Sequence, residues 1–429
     1  MNTYSIWTIG CQMNVADSRR LAAALEAMGY RRAARLEDAD IMVLNTCVVR
    51  QSAEHRVIGR LSSLTSVKRR RPDALLVLMG CFVGQEDERE RVRQAYPFVD
   101  LLLGPSDIEP LISFLRERQA AAGAGQPTMP VVPHDRSVCA YVAIMHGCNN
   151  FCSYCIVPYR RGPEVSRPIA DVVAEVGQLT AAGAREVTLL GQNVDSYGRG
   201  LPGQPSLADL LVAVHDVPGL HRIRFLTSHP KDMTPQIIQT AARLPKVCEH
   251  IELPVQSGDD EILRRMNRGY TIAHYRDLIA HVRAAMPGVG LATDVIVGFP
   301  GETTEQFEHT YALLEEIRFD TVHIAAYSPR ADTAAAQWDD DVPAAEKERR
   351  RVVLETLQER IAAEINARLL GQTVEILVET RHKGKWRGRT RTNKLVFFSD
   401  PRDWRGQLVA VRITWTGPWS LQGELVEQN

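Results

Sequence analysis

Short apolar runs alternate with amphipathic, charge-bearing stretches along most of the chain. Near the N-terminus three such runs, "YSIWTIGC", "ADIMVLNTC" and "ALLVLMGC", each end in a small or polar turn and a cysteine. Stretches with helical spacing, such as "DSRRLAAALEAMGY" and "SAEHRVIGRLSSLTSVKRR", separate them. Strands that alternate with helices predict an α/β fold, here a doubly wound parallel sheet over residues 1–119. Cys11, Cys47 and Cys81 are spaced by 36 and 34 residues, about one βαβ unit each. Parallel strands end along one edge of their sheet, where open α/β folds hold ligands, so these cysteines are expected to converge there. Cysteine also suits a small buried strand end, but three in one register argue for a shared role.

The stretch "AAAGAGQPTMPVVP" breaks the pattern and predicts a linker over 120–136. Six further strand candidates follow in 137–370: "YVAIMHG", "EVTLLGQNV", "RIRFLTSHP", "HIELPVQSG", "LATDVIVGFP" and "TVHIAAYSP". Eight βα units close a full barrel, so six predict a partial (β/α)6 barrel with an open side. Its functional face is expected at the strand C-terminal ends, which carry Cys148, Gln192, Asn193, Ser228, His229, Gln256 and Tyr327. After a charged helix, "AAEKERRRVVLETLQERIAAEINARLLG", the apolar period changes to two. Over 371–429 five short runs, "TVEILVET", "KWRGRT", "KLVFFS", "QLVAVRITWT" and "LQGELVEQ", predict a small OB-like antiparallel β-barrel.

Composition narrows the partners. The 429 residues carry 51 Lys and Arg against 52 Asp and Glu, so any nucleic-acid footprint has to be local. It is found in the third region, where ten Lys or Arg between Arg381 and Arg412 face only Asp400 and Asp403. No apolar run approaches the roughly 20 residues of a membrane span, and "MNTYSIWTIGC" lacks the segments of a signal peptide. A cytoplasmic protein with no membrane partner is expected. In that reducing compartment the eight cysteines are ligands, reactive groups or small core residues rather than a disulfide framework.

The densest cysteine cluster is "GCNNFCSYC" at 147–155. Its C-x3-C-x2-C spacing can supply three thiolate corners of an iron-sulfur cubane, leaving one iron open to a substrate or cosubstrate. Zinc is the rival, with His146 completing a Cys3His site. A structural zinc usually staples a small loop-rich unit, whereas this loop follows the first strand of a large barrel at its functional face. The same reasoning makes Cys11, Cys47 and Cys81 a second three-thiolate site. Cys139 and Cys248 fall outside both sets and are read as packing residues.

With Tyr154 just before its last cysteine, this loop on the first strand of a partial barrel resembles that of the radical SAM superfamily. "TIGCQMN", "NTCVVRQSAE" and "MGCFVGQ" resemble the N-terminal cysteine segments of the methylthiotransferases, and the C-terminal barrel is similar to a TRAM domain. The resemblance therefore runs through nearly the whole chain. "GQNVDSYG", "LPVQSGDDEILRRMNRGYT" and "DVIVGFPGET" are most similar to the tRNA branch, which adds a 2-methylthio group to N6-isopentenyladenosine beside the anticodon. Sister branches modify threonylcarbamoyladenosine in tRNA or an aspartate of a ribosomal protein.

The resemblance implies two [4Fe-4S] clusters and S-adenosyl-L-methionine (SAM) as cofactors. Cys148, Cys152 and Cys155 would hold the cluster whose open iron chelates the amino and carboxylate groups of SAM. One electron would then cleave the sulfonium, and the resulting 5′-deoxyadenosyl radical would take hydrogen from C2 of the base. Cys11, Cys47 and Cys81 would hold the auxiliary cluster that carries the sulfur, and a second SAM would supply the methyl group. Glu164, Ser166, Arg167, Gln192, Asn193, Gln256 and Asp294 become candidate partners of cosubstrate or substrate, each with a simple cap or interstrand hydrogen bond as the competing reading. Implied partners are a tRNA anticodon loop, an electron donor such as flavodoxin or ferredoxin, and a sulfur source.

A base stacked in an anticodon loop cannot present C2 to a buried radical, so it has to be drawn out into the barrel mouth. Lys383, Lys385, Arg387, Arg389, Arg391 and Lys394 are the candidate phosphate contacts that would set its register, with a solvated basic face as the alternative. Trp386, Phe397 and Phe398 interleave with these charges and are candidates to stack bases, but neighbours on a strand point opposite ways, so at least one of the two phenylalanines is core. The sequence departs from the family where Pro163 and Val165 stand in place of the usual arginines and where Ala331-Asp332 replaces Pro-Gly. A non-catalytic, metal-containing RNA-binding protein is the more distant alternative.

Overall fold

A computed structural model describes residues 3–48, 51–121 and 137–426. Apart from its first two residues, the linker expected at 120–136 lies outside the described residues. The chain divides into two compact units, the first holding 1–136, 141–149 and 156–165 and the second 137–140, 150–155 and 166–429. The division passes through the cysteine loop: Cys148 counts with the first unit, Cys152 and Cys155 with the second.

The first unit is built on a five-stranded parallel sheet in the order β2-β1-β3-β4-β5. Its strands are β1 (Thr3–Thr8), β2 (Arg31–Arg32), β3 (Ile41–Thr46), β4 (Leu75–Gly80) and β5 (Leu101–Leu103). The two-residue β2 and the three-residue β5 escaped the sequence reading, being too short to show a period. Every residue of β3 and β4 is buried, as continuous apolar strands covered on both faces require. Their alternation feeds two cores. Ile41, Val43 and Val77 pack with Leu21 and Leu25 of helix α1 (Gln12–Ala27). Met42, Leu44, Leu76 and Leu78 pack with Val57 and Leu61 of helix α2 (Gln51–Arg70). This is the doubly wound arrangement expected.

All six expected barrel strands are present: β6 (Cys139–Ala143), whose residues are divided between the two units, and in the second unit β9 (Glu186–Leu190), β10 (Arg222–Phe225), β11 (His250–Glu252), β12 (Gly290–Val297) and β13 (Thr321–Ala326). Two short strands, β7 (Met145–His146) and β8 (Val165–Ser166), flank the cysteine loop in sequence. The six form two parallel sheets, β10-β9-β6 and β11-β12-β13, linked by a parallel bridge between Ile223 and Val247. Helix starts between them are capped by side chains, as where Thr271 accepts from the His274 N–H and Thr303 and Gln306 form a capping box. Among the described residues no helix is long and apolar enough to cross a membrane.

Strands β14 (Thr373–His382), β15 (Lys385–Thr390), β16 (Leu395–Phe398), β17 (Leu408–Thr416) and β18 (Leu421–Leu425) close a barrel in the order β14-β15-β16-β18-β17. Phe398 is core and Phe397 faces outward. Trp386, considered for base stacking, is instead buried in the barrel, its indole N–H donating to the carbonyls of Asp400 and Arg402.

This barrel is locked onto the N-terminal ends of the central strands by buried arginines. Arg222 donates to the Arg389 carbonyl at 2.7 Å and to Glu375 at 2.8 Å. Arg224 donates to Glu186 at 3.0 Å and to the carbonyls of Thr390 and Arg391 at 2.8 Å each. In return Arg391 forks onto Glu249 at 2.7 and 2.8 Å, and Lys394 meets Asp320 at 2.5 Å. We expect Arg224→Met to destabilise the chain by about 3–5 kcal/mol in urea unfolding, because it leaves Glu186 buried without its cation. The double variant with Glu186→Gln is expected to recover a good part of that loss.

Candidate functional site

Cys11, Cys47 and Cys81 leave the C-terminal ends of β1, β3 and β4, which are neighbours in the sheet. Thr8 pairs with Asn45 and Thr46 with Gly80, so the residues that follow arrive side by side on one edge. Buried Asn14 ties the edge together. Its amide donates to Asn45 Oδ1 at 2.9 Å and to the Thr46 carbonyl at 2.8 Å, and its Oδ1 lies 3.3 Å from Cys11 Sγ. Gly10 is required at φ +133°, where a Cβ would come within 2.6 Å of Cys47 Cβ.

Among the described residues, Arg161 brings a cation to this edge, and the sequence reading passed over it. Arg161 is buried, with its guanidinium 3.8 Å from Asp17, 3.3 Å from Ser106 Oγ and 3.5 Å from Asn14 Oδ1, and it hydrogen-bonds Cys81. Burial pushes the Cys81 thiol above its ordinary range, and Arg161 draws it back. Burial likewise raises the Asp17 carboxyl against the pull of Arg161. The segment bearing Arg161 is docked by the Arg160–Glu88 ion pair and by Gln85 on the Tyr159 carbonyl.

In the same unit the Cys148 N–H donates to the Gly162 carbonyl at 3.1 Å. Gly147 precedes it at positive φ, where a Cβ would run into the carbonyl of Pro163. Glu164 accepts from the Asn149 N–H at 3.3 Å through one oxygen and keeps the other buried without a partner. His146 is pushed below the usual imidazole range by burial, then by Arg161.

In the second unit the Cys155 N–H donates to the Cys152 carbonyl at 2.9 Å. Ser153 is held by the carbonyls of Arg265 and Met266, and Asn267 by that of Phe151. Arg268, also missed from sequence, is buried with Nη1 3.4 Å from Cys152 Sγ and 3.4 Å from the Tyr154 hydroxyl. Only the run "RRMNRGYT" hinted at it.

Among the described residues, buried polar atoms without a partner at or just past strand C-terminal ends include Gln192 Oε1, Asn193 Oδ1, His229 Nε2 and the Tyr327 hydroxyl, while the opposite ends carry Glu186 Oε2, Arg222 Nε and His250 Nδ1. Packed chains leave few such groups, and those past the C-terminal ends lie where a barrel of this kind holds its ligand. His229 is held neutral, its pKa pushed down to about 2 by burial and by Arg268. Asp195, which accepts from Ser228 Oγ at 3.0 Å and the His229 N–H at 2.8 Å, is pushed up to about 7 by burial.

Of the other residues singled out from sequence, Gln256 sits at φ 71° with its N–H on the Asp294 carbonyl at 2.9 Å, which brings those two together. Ser166 accepts from the Gly198 N–H at 2.9 Å, and Arg167 pairs with Glu175 at 2.7 Å, both as local supports. Asn193 also donates to Asp232 at 2.8 Å. Cys139 and Cys248 lie beside Arg224 and Glu186, with thiols raised by burial. Asp332 adopts φ 71°, a left-handed position that Asp tolerates in place of the family's Gly.

The candidate RNA contacts divide. Arg391 and Lys394 are spent on Glu249 and Asp320 within the chain, and Arg387 and Arg389 share Glu379, each at 3.3 Å. Lys383 and Lys385 are exposed, the latter donating to Gln422 at 2.7 Å.

Sets of three thiolates are the donor chemistry that an iron-sulfur cubane takes. Among the described residues no three His, Cys, Asp or Glu side chains close around a single metal position. A cubane is held by thiolates at separate iron corners.

Residues 142–314 match the radical SAM superfamily, which with the partial barrel and the cysteine loop defines the class of enzyme. Residues 3–104 match the uncharacterized protein family UPF0004 and 367–426 the TRAM domain. The chain is 54% identical over 99% of its length to a tRNA-2-methylthio-N(6)-dimethylallyladenosine synthase of Roseiflexus sp., covering 90% of that protein. It is 53% identical over 98% of its length to the synthase of that name from Chloroflexus aurantiacus, covering 91% of it. It belongs to the methylthiotransferase family of radical SAM enzymes. Its fold is similar to that of the radical SAM methyltransferase TsrM from Kitasatospora setae, solved with cobalamin and a [4Fe-4S] cluster bound. That match has a TM-score of 0.58 and 15% identity over 78% of this chain and 74% of the other.

Burial, then the charge of Asp294, push Glu252 from its ordinary value of 4.5 to about 7. As pH rises through that window the unfolded chain loses this proton while the folded chain keeps it, so stability falls and then levels off above about 7. Glu252→Gln is expected to flatten this part of the stability profile. At pH about 8 it should gain on the order of 3 kcal/mol over the parent, measured by denaturant unfolding across pH.

Proposed function

We propose that the chain adds a methylthio group to C2 of N6-isopentenyladenosine beside the anticodon of tRNA, using two [4Fe-4S] clusters and two SAM molecules for each product. The observation that carries this reading is the pair of three-cysteine sets, each placed at or just past the C-terminal ends of parallel strands. Cys148, Cys152 and Cys155 would hold one cluster, and Cys11, Cys47 and Cys81 the other. When bound, the first cluster with SAM supplies the 5′-deoxyadenosyl radical, and the second delivers sulfur. The names of the relatives support the tRNA substrate.

The chain's own groups prepare the site. Arg268 donates to Cys152 and fixes Tyr154 beside it. The free oxygen of Glu164 is an acceptor for an ammonium, and Gln192, Asn193, His229 and Tyr327 offer the unpaired polar atoms that a nucleoside or SAM would satisfy. Buried His229 and the buried strand ends help keep water from a reactive species. An electron donor such as flavodoxin or ferredoxin and a separate sulfur source complete the reaction.

RNA is gripped by the C-terminal barrel, on a row that the strand register brings together. Arg387 pairs with Phe397, Phe397 with Gln422 and Gln422 with Trp415. Lys385 adjoins Gln422, and Trp415 and Trp419 are 48% and 59% exposed. A basic strip interleaved with exposed rings suits an RNA strand.

Two experiments test the reading. Cys47→Ala is expected to keep cleaving SAM to 5′-deoxyadenosine while making no methylthio nucleoside, as read by mass spectrometry of digested tRNA. Methylthio product from that variant, or product on a ribosomal protein or threonylcarbamoyladenosine instead, would refute it. In tRNA titrations over a range of salt, Trp415→Ala is expected to weaken binding by about 1–3 kcal/mol with the slope unchanged. Lys385→Ala should lower the log-log slope by about 0.7–0.9.

A further inference from the structure

A chain seldom buries a guanidinium unless its five N–H donors meet acceptors at short range. The second unit shows what such compensation looks like. Arg350 reaches the carboxylate and carbonyl of Glu302 at 2.7 and 2.9 Å and Glu346 at 2.8 Å, and the contacts of Arg224 run from 2.8 to 3.0 Å. Arg161 is as deeply buried, with 3% of its side chain exposed, yet among the described residues its contacts to oxygen begin at 3.3 Å. Asp17 stands 3.8 Å away and is occupied by Ser106 Oγ at 3.0 Å. The oxygen contacts are long, and Arg161 also hydrogen-bonds Cys81 and lies in the field of Cys11.

We propose that Arg161 is the counter-cation of the N-terminal cluster, a positioning residue that donates to the Cys81 sulfur and holds the cluster's reduction potential up. This rests on the reading that Cys11, Cys47 and Cys81 hold a [4Fe-4S] cluster. Three thiolates outnumber the two positive charges of the oxidised cubane core, so the assembly is anionic and becomes more so on reduction. Net charge and hydrogen bonds to sulfur are among the terms that set such potentials. A buried cation beside one thiolate therefore favours the reduced form and also favours an anionic sulfur ligand, sulfide or persulfide, at the open iron. Arg161 lies six residues beyond Cys155, so the segment that follows the first cluster's ligands supplies the charge for the second.

The test uses the full chain carrying Cys148→Ala, Cys152→Ala and Cys155→Ala, reconstituted without oxygen so that only the N-terminal site can bind iron. Iron and acid-labile sulfide are counted, and the midpoint potential is read by spectroelectrochemistry. About four irons per chain are expected. No iron in this parent would overturn the two-cluster reading itself, and with it this inference. With the iron in place, Arg161→Met is expected to shift the midpoint to lower potential, and Arg161→Lys to restore part of the shift. Asp17→Asn, which removes the competing carboxylate, is expected to move it the other way. If Arg161→Met does not retain iron, the sign of the Asp17→Asn shift decides. A midpoint unmoved in every iron-loaded variant, or lowered by Asp17→Asn, would overturn the proposal.

Discussion

Strand polarity is the constraint on which the cysteine chemistry depends. In a parallel sheet every C-terminal end falls on one edge, so a residue placed just past a strand is delivered to the same place as its counterparts on neighbouring strands. Cys11, Cys47 and Cys81 need no contacts of their own to find the same edge, because the register of β1, β3 and β4 delivers them there. Gln192, Asn193, His229 and Tyr327 follow central strands in the same way, and each leaves a polar atom unsatisfied at the end where such barrels hold ligands. An antiparallel sheet of the same sequences would send alternate members to opposite edges.

The opposite ends of the central strands have a different task. There the chain buries Arg222 and Arg224 and uses their fixed forks to hold the carbonyls of Arg389, Thr390 and Arg391. Carbonyl acceptors satisfy the cations without further carboxylates, which limits the desolvation that a buried pair suffers. The consequence is a C-terminal barrel seated on the central strands by directional bonds rather than by apolar surface alone. Its orientation is therefore set along with its attachment.

What was legible in the sequence follows from range. The strands, the cysteine register and the change of period at the last region are local patterns, and all are present in the structure. The exceptions β2 and β5 are too short to repeat anything. Counting charge between Arg381 and Arg412 found a basic surface but could not tell spent from unspent cations. The partners of Arg391 and Lys394, Glu249 and Asp320, lie more than 70 residues away in sequence. Trp386 passed for a surface ring for the same reason, since its acceptors on Asp400 and Arg402 belong to a turn closed by tertiary folding. Arg161 ends a one-turn helix beside Arg160 and Arg268 sits in a loop, and nothing in their neighbours' spacing distinguishes them from solvated residues.

These two ends bear on the kind of ligand the second unit can take. Gln192, Asn193, His229 and Tyr327 lie past the strand C-terminal ends, while the barrel that carries Phe397, Trp415 and Lys385 is fastened at the N-terminal ends. The eight-residue β12 measures the gap, about 25 Å at the usual rise per residue. A free nucleoside placed at the strand ends would gain nothing from the barrel's rings and charges. On the proposed reading a folded RNA would span that distance, so that phosphates and bases held at one end would fix where an extruded base arrives at the other. Binding energy from a remote contact can then be used to orient the reacting atom, which a basic patch beside the active end would not require and a barrel bolted to the far end does.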